Sequence, residues 1–214
     1  MRRLILRLLH LALLRPFVLG YLGLNLYHRD RLPRAGPAIV VANHNSHLDT
    51  LVLMALFPVA MQNKLRPVAA SDYFLRSRWL QWLVIDIFGV IPLKRGGFRP
   101  SEGDPLVECS RALARGEILI LYPEGTRGTP ERLGRFKTGI AHLAKRHPDV
   151  PVVPVFLHGV GKCLPKGKAV PVPFLCDVLV GNGVTWPGSR TELMCGLEGE
   201  IAGLSAERGF PAWA

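Results

Sequence analysis

The sequence has few acidic residues for its size. Only 16 of its 214 residues are Asp or Glu, against 27 Lys and Arg, so the formal net charge is +11. Such a surplus indicates a polyanionic partner: a nucleic acid, an anionic membrane surface, or an acidic or phosphorylated substrate. A hydrophobic content of 49% and a mean hydropathy of +0.22 favour the membrane over nucleic acid. The length suits one domain with a sizeable core.

Several familiar motifs are absent. The four cysteines form no C-x-x-C pair and have no zinc-ligand spacing, so we predict reduced, mostly buried thiols and neither a disulfide framework nor a metal site. There is no G-x-S-x-G elbow, no Walker A loop and no G-x-G-x-x-G. A serine hydrolase, a P-loop enzyme and a Rossmann dehydrogenase are therefore disfavoured, and no cofactor is expected.

Residues 1–34 carry more than half of the net charge, with seven arginines against the single acidic Asp30. The stretch 4–27 between them is rich in leucine. Arg15 interrupts the apolar core that a secretory signal peptide needs, and no A-x-A pattern follows. The longest uncharged run, 16–27, would extend only about 18 Å as a helix, too short to span a bilayer.

We therefore expect an interfacial amphipathic helix at this end of the chain. Arg3, Arg7 and His10 follow i, i+4, i+7 spacing and are predicted to form one polar stripe, with leucines covering the remainder. A single membrane span and simple packing on the domain are the alternatives. The chain divides, on this interpretation, into a membrane-associating segment (1–34) and a single domain (35–214).

Strands alternate with helices along the rest of the chain. This alternation predicts an α/β domain with a central, mostly parallel or mixed sheet flanked by helices. The predicted strands are 38–42, 67–70, 90–93, 118–122, 152–157 and 174–180. The predicted helices are 48–57, 79–88, 105–114, 138–146 and one opened by a capping box at Ser189. The stretch 159–173, crowded with Gly, Pro and Lys, is predicted to be a loop.

Polar residues follow the first predicted strand of the domain in the segment Asn43-His44-Asn45-Ser46-His47-Leu48-Asp49. A histidine with an aspartate five positions later, across a strand-to-helix turn, can form an imidazole–carboxylate pair suited to general-base catalysis. Capping of the following helix by these polar side chains explains the pattern equally well. No third metal ligand lies at helical spacing.

Two further segments place charge at strand ends. In Tyr122-Pro123-Glu124-Gly125-Thr126-Arg127, the glycine permits a tight turn, and the threonine and arginine offer donors to an anion. The strand in 89–95 ends in Lys94 and Arg95. A turn with a surface ion pair and a solvated strand edge are the respective alternatives. We interpret Lys137, further downstream, as solvated surface, although it could add charge to such a site.

Together these segments resemble the phospholipid/glycerol acyltransferase family, of the 1-acylglycerol-3-phosphate O-acyltransferase type. The four blocks of that family are matched in order and spacing by N-H-x-S-x-x-D at 43–49, G-x-I-P-L-x-R at 89–95, Y-P-E-G-T-R at 122–127 and V-P-V at 153–155. The departures are mild: Tyr122 stands where Phe is frequent, and Gly128 where Ser often follows the arginine.

The resemblance implies an enzyme that transfers a fatty acyl group from acyl-CoA or acyl-carrier protein to the free hydroxyl of lysophosphatidate, giving phosphatidate. It implies His44 as the general base and Asp49 as the residue that orients it, with direct attack by the acceptor and no acyl-enzyme. The positions that match the family's acceptor-binding residues are Arg95, Glu124, Gly125, Thr126 and Arg127.

Two other functions remain open beside this one. The same chemistry could act on another lyso-lipid acceptor, such as a lyso-aminolipid or another lysophospholipid. A catalytically silent lipid-binding module is the second, and the intact His44 and Asp49 disfavour it. A nucleic-acid partner is disfavoured by the apolar N-terminus and the lack of a recognition motif. The expected location is the cell membrane, peripheral or monotopic on its cytoplasmic face.

Overall fold

The computed structural model describes residues 2–71, 78–93, 103–125, 134, 136–164 and 170–210. The strands in these residues are β1 (Leu24–Tyr27), β2 (Ala38–Ala42), β3 (Leu65–Ala70), β4 (Ile91–Leu93), β5 (Ile118–Leu121), β6 (Val152–His158) and β7 (Cys176–Val180). Helix α1 covers 2–21 and is α-helical over Arg2–Leu9 and π-helical over His10–Leu14 and Phe17–Tyr21; helix α3 is α-helical over Arg78–Gln81 and π-helical over Trp82–Ile87. The other α-helices are α2 (Leu48–Leu56), α4 (Val107–Ala114), α5 (Gly139–Arg146), α6 (Val160–Cys163) and α7 (Arg190–Glu207), and 3₁₀ turns cover Arg29–Arg31 and Val59–Lys64.

The seven strands form one mixed sheet in the order β1-β7-β6-β2-β5-β3-β4. Every neighbouring pair is parallel except β6 with β7. This arrangement, with helices on both faces, confirms the predicted α/β class. The central strands β2 and β6 are buried along their whole length, as expected of strands that are apolar apart from His158 at the end of β6.

Each face of the sheet has its own hydrophobic core, because successive side chains of a strand point to opposite faces. In β2, Val40 packs on one side with α1, α2 and α6, and Ile39 packs on the other with α4, α5 and α7. Helix α7 shows the matching helical spacing and contributes Leu193, Leu197, Ile201 and Leu204 to the second core. We call these the α1 face and the α7 face.

The sheet begins earlier in the chain than predicted. Strand β1 lies inside the segment 1–34, and its Leu24 pairs with Cys176 of β7. Residue 34 is therefore not the point at which the sheet starts. Strand β1 has only four residues, lies at the edge of the sheet and pairs with a strand that is distant in sequence. Within a leucine-rich stretch, such a strand produces no recognisable local pattern. The predicted loop 159–173 likewise contains a short helix, α6.

Helix α1 packs on the domain, and this corrects the predicted polar stripe. His10 is buried, together with Leu6, Leu14, Val18 and Leu22, so the contact repeats every four residues. An α-helix turns every 3.6 residues, and the wider π-helical stretches accommodate the longer repeat. His10 therefore faces the protein, whereas leucines predicted to surround the stripe face outward.

The outer side of α1 is apolar. Its exposed large side chains are Leu4, Leu8, Leu11, Leu13, Leu19 and Tyr21, and Arg7 and Arg15 are also exposed. By length and composition, Leu4–Tyr21 is long and apolar enough to cross a membrane, with 22% of the stretch buried within the protein. The helix thus contacts the domain with one side and presents leucines with the other.

We predict that two leucines of this region differ sharply in their effect on stability. Leu22→Ala should lower the free energy of unfolding by about 2–4 kcal/mol, because the side chain is 1% exposed and its loss leaves a cavity. Leu19→Ala, at 46% exposure, should change it by less than about 0.5 kcal/mol. Urea unfolding followed by circular dichroism measures both; equal effects would contradict the docking of α1.

Candidate active site

The predicted site residues that the structure describes lie at the carboxyl edge of the central strands. Strands β2, β5 and β6 are adjacent and parallel, with Val41 opposite Leu121 and Ala42 opposite Val155. Their carboxyl ends therefore lie side by side, which is where open α/β sheets build binding sites. The turn 43–47 after β2 (the catalytic turn hereafter) and the turn 122–125 after β5 are brought together here.

The predicted histidine–aspartate pair is formed. His44 Nδ1 lies 2.9 Å from Asp49 Oδ2, and the same oxygen accepts hydrogen bonds from the backbone N–H of Asn45 (2.6 Å) and Ser46 (2.8 Å). Because an ionised carboxylate only accepts, His44 carries its proton on Nδ1 and presents Nε2 as the basic nitrogen. The His44 side chain is 19% exposed, which leaves it accessible to a substrate.

Asp49 is completely buried, in the first turn of α2. Burial raises the pKa of its carboxyl group, and the hydrogen bonds from His44, Ser46 and Asn45 oppose that rise. Its second oxygen, Oδ1, has no hydrogen-bond partner among the described residues. One carboxylate oxygen thus shapes the turn and orients the imidazole at once.

The serine of the motif has a structural environment. Ser46 Oγ donates to the carbonyl of Leu164 (3.1 Å) and accepts from the N–H of Leu48 (3.3 Å), which satisfies a donor at the start of α2. Its proton is directed to a backbone carbonyl.

Asn43 fastens the catalytic turn to the neighbouring strand β6. Its Nδ2 donates to the carbonyl of Leu157 (2.9 Å), and its Oδ1 accepts from the N–H of the same residue (2.7 Å). Asn45 Nδ2 donates to that carbonyl as well (3.1 Å). The sequence predicts these amides as candidate helix caps. Their partner, a backbone group more than a hundred residues downstream, is visible only in the fold.

Tyr122 is a member of the site that sequence analysis noted only as a departure from the family pattern. Its ring stacks on the His44 imidazole with centroids 4.2 Å apart and planes inclined by 21°. Its hydroxyl is 2.9 Å from Thr50 Oγ1, a bond that Phe could not make. Burial raises the pKa of this phenol well above its ordinary value, so the group stays neutral. The ring holds one face of the imidazole in place.

Glu124 connects the two turns. Its Oε1 accepts from the backbone N–H of His44 (3.1 Å), and its Oε2 accepts from the N–H of Gly134 (3.2 Å). Burial raises its pKa, opposed by these hydrogen bonds. Both carboxylate oxygens are therefore directed at the protein backbone, and the predicted contact of Glu124 with an acceptor stays a prediction.

Gly125 is required by its surroundings. Its φ is +69°, and a Cβ placed there would lie 2.6 Å from Lys137 Nζ. The backbone N–H of Lys137 also donates to the carbonyl of Pro123 (2.8 Å), so Lys137 packs against the turn 122–125. Lys137 is predicted from the sequence to be solvated surface; it is exposed, and its ammonium lies beside Gly125.

The remaining predicted acceptor-binding residues, Arg95, Thr126 and Arg127, lie outside the described residues. Strand β4 ends at Leu93 on the same sheet edge, since β4 is parallel to β3 and β3 to β5. Within the described part of the chain, no group of three or more His, Cys, Asp or Glu side chains could hold a metal ion. The four cysteines form no disulfide; Cys109, Cys163 and Cys176 are buried and Cys195 is exposed.

An apolar cavity of about 270 Å³ lies between α1 and α2, next to the catalytic turn. Its lining residues are Leu6, Leu9, His10, Leu13, Leu14, Phe17, Leu48, Leu51, Gln62 and Phe88. Leu48, which directly follows the catalytic turn, is the lining residue nearest to it in the chain. Burial, with the charge of Arg15, lowers the pKa of His10, and its Nδ1 has no hydrogen-bond partner among the described residues.

The chain is similar to known acyltransferases. The family model described as Acyltransferase matches residues 23–158. A chloroplast 1-acyl-sn-glycerol-3-phosphate acyltransferase of Arabidopsis thaliana is 34% identical over 68% of this chain and 38% of its own length. A second, from Brassica napus, is 35% identical over 78% of this chain and 46% of its own length. The chain thus spans less than half the length of either plant relative.

A solved structure shares the fold. The crystal structure of the 1-acyl-sn-glycerophosphate acyltransferase PlsC from Thermotoga maritima matches 99% of this chain and 83% of its own, with a TM-score of 0.77 at 21% sequence identity. The match extends over α1 and β1 as well as the central sheet, so the helix–sheet arrangement described above is common to both proteins.

We predict that the Asn43 clamp is needed for stability. Asn43→Ala should lower the free energy of unfolding by about 1–3 kcal/mol, because it leaves the buried N–H of Leu157 unpaired and removes one of the two amide donors to its carbonyl. Asn182→Ala is the matched control: its exposed amide bonds to Glu200, and its loss should cost less than about 0.5 kcal/mol. Thermal unfolding compares the two, and an equally small loss for Asn43→Ala would rule out the clamp.

Proposed function

The chain belongs to the Acyltransferase family, and we propose that it transfers a fatty acyl group from acyl-CoA or acyl-carrier protein to the free hydroxyl of lysophosphatidate. The observation that carries this proposal is the His44–Asp49 pair, with a 2.9 Å contact at the carboxyl end of β2. The curated relatives, which are 1-acyl-sn-glycerol-3-phosphate acyltransferases by name, support the same acceptor.

In the proposed reaction, His44 acts as the general base. Its Nδ1–H is held by Asp49, so Nε2 takes the proton from the acceptor hydroxyl as that oxygen attacks the thioester carbonyl. The tetrahedral intermediate then expels the thiolate, which recovers the proton from the imidazolium, and the products are an ester and a free thiol. Asp49 stabilises the imidazolium between these steps, because its charge is fixed 2.9 Å from Nδ1.

The acceptor phosphate is proposed to lie near the turn that follows β5. Arg95, Thr126 and Arg127 are its expected ligands, because a phosphate is best bound by guanidinium groups and N–H or O–H donors. The positive φ of Gly125 shapes the turn, and Lys137 adds an ammonium beside it. Glu124 takes part as a positioning residue, since its oxygens fix the His44 backbone and Gly134.

The protein also has apolar surfaces that match a hydrocarbon chain and a lipid bilayer. The cavity between α1 and α2 adjoins the catalytic turn and could receive a hydrocarbon chain. The exposed leucines of α1, beside Arg7 and Arg15, suit an anionic bilayer surface. We propose a peripheral or monotopic enzyme on the cytoplasmic face of the cell membrane, where lysophosphatidate and acyl thioesters meet.

We predict that His44→Ala reduces acyl transfer by about 10²-fold or more, because the general base is lost. The protein should stay folded, because His44 lies in a turn. Asp49→Asn should be severely impaired too, since the imidazolium loses its anionic partner. Product formation from acyl-CoA or acyl-carrier protein and lysophosphatidate is followed by mass spectrometry. His142→Ala, an exposed histidine on α5, is the control and should match the wild type. More than a tenth of wild-type kcat in His44→Ala would disprove the mechanism.

We predict that Arg127→Met lowers kcat/KM for lysophosphatidate by about ten- to a hundred-fold, because one or two charge-assisted hydrogen bonds to phosphate are lost. Arg127→Lys should restore only part of the lost kcat/KM, since an ammonium cannot form the paired hydrogen bonds that a planar guanidinium makes to phosphate. The kcat/KM for a phosphate-free lyso-lipid should fall much less. Arg111→Met, on α4 where the arginine pairs with Glu108, controls for loss of surface charge. Equal impairment on both acceptors would exclude a phosphate contact for Arg127.

A further inference from the structure

Exposed apolar side chains are concentrated in three parts of the molecule. Among the residues that the structure describes, the exposed large hydrophobic side chains belong to α1, to α3 and to the segment 170–175, with Val107 of α4 as the sole exception. The segment 170–175 contributes Val170, Val172, Phe174 and Leu175, at 75%, 50%, 38% and 67% exposure. Scattered surface residues would not be confined in this way.

The segment 170–175 is joined to the end of α1. Tyr21 Oη donates to the carbonyl of Pro171 (3.0 Å), and the Leu175 side chain approaches Gly23 so closely that a Cβ there would lie 3.0 Å from it. The apolar outer side of α1 therefore continues onto this segment. Val107, by contrast, is on α4, which covers the opposite face of the sheet.

Hydrogen bonds also fix the segment 170–175 close to the catalytic turn. The N–H of Val172 donates to the carbonyl of Cys163 (2.8 Å) at the end of α6, and the next carbonyl, of Leu164, accepts from Ser46 Oγ. Lys162 Nζ lies 5.2 Å from the centre of the Phe174 ring, so a cation stands next to the apolar side chains. The sequence from 160 to 175 contains no acidic residue.

We propose that residues 170–175 form a second membrane-contact element, which inserts its apolar side chains into the lipid bilayer beside the catalytic turn. The occupant is a bilayer because the segment prolongs the leucine-covered side of α1 and combines apolar side chains with lysine and no acidic residue. This inference rests on the membrane association proposed above, and it adds the point of contact that brings the catalytic turn to the lipid surface.

The test measures binding of the purified full chain to vesicles of phosphatidylcholine with and without phosphatidylglycerol. The variant Val170→Ser/Leu175→Ser removes the two most exposed side chains of the segment, so the fold should be retained, and binding should weaken by about tenfold or more. Val107→Ser is the matched control on the opposite face and should bind as the wild type does. Val170→Trp should bind more tightly, because Trp is favoured at bilayer interfaces.

Activity gives a second readout. The double variant should transfer acyl groups to detergent-dispersed lysophosphatidate at the wild-type rate and lose rate only when the acceptor is embedded in vesicles. Wild-type binding by both the double variant and Val170→Trp would overturn this inference and leave the proposed function intact. A wild-type chain that binds neither vesicle would overturn the membrane association itself. Self-association that the double variant abolishes, without vesicle binding, would assign the surface to a second protein copy and also overturn the inference.

Discussion

The site depends on one buried carboxylate oxygen. Asp49 Oδ2 accepts from His44 Nδ1 and from two backbone N–H groups of the catalytic turn. A buried charge is costly unless it is hydrogen-bonded, and these three donors offset that cost. The same bonds close the turn into α2 and select the His44 tautomer. Loss of the carboxylate would therefore affect the conformation of the turn and the basicity of the imidazole together.

Parallel strand pairing supplies the rest of the geometry. Because β2 lies between β5 and β6, the catalytic turn has Tyr122 and Glu124 on one side and the Leu157 backbone on the other. Leu157 lies within β6, and Tyr122 and Glu124 lie in the turn that follows β5, so sheet register fixes these positions without a long ordered loop. The imidazole is stacked, its backbone N–H is hydrogen-bonded and its neighbour Asn43 is anchored.

The two faces of the sheet are used differently. The α7 face is closed by α4, α5 and α7, and of the exposed large hydrophobic side chains that are described, Val107 alone lies there. The α1 face is closed by a helix whose outer side is itself apolar, and the cavity beneath it adjoins the catalytic turn. This asymmetry suits an enzyme whose substrates lie in a membrane and whose other side remains in water.

The sequence by itself determined the α/β class and the strand 38–42, because hydrophobic periodicity is a local signal. The His44–Asp49 pairing was one of two interpretations of the motif spacing, beside helix capping, and the family resemblance favoured it. Only the tertiary structure decided the contacts between distant segments. The Asn43–Leu157 clamp, the stacking of Tyr122 on His44 and the pairing of β1 with β7 join residues far apart in the chain. The burial of His10 was also decided by the tertiary structure. Its spacing predicts a polar stripe, but the surface against which a helix packs determines which face of that helix is buried.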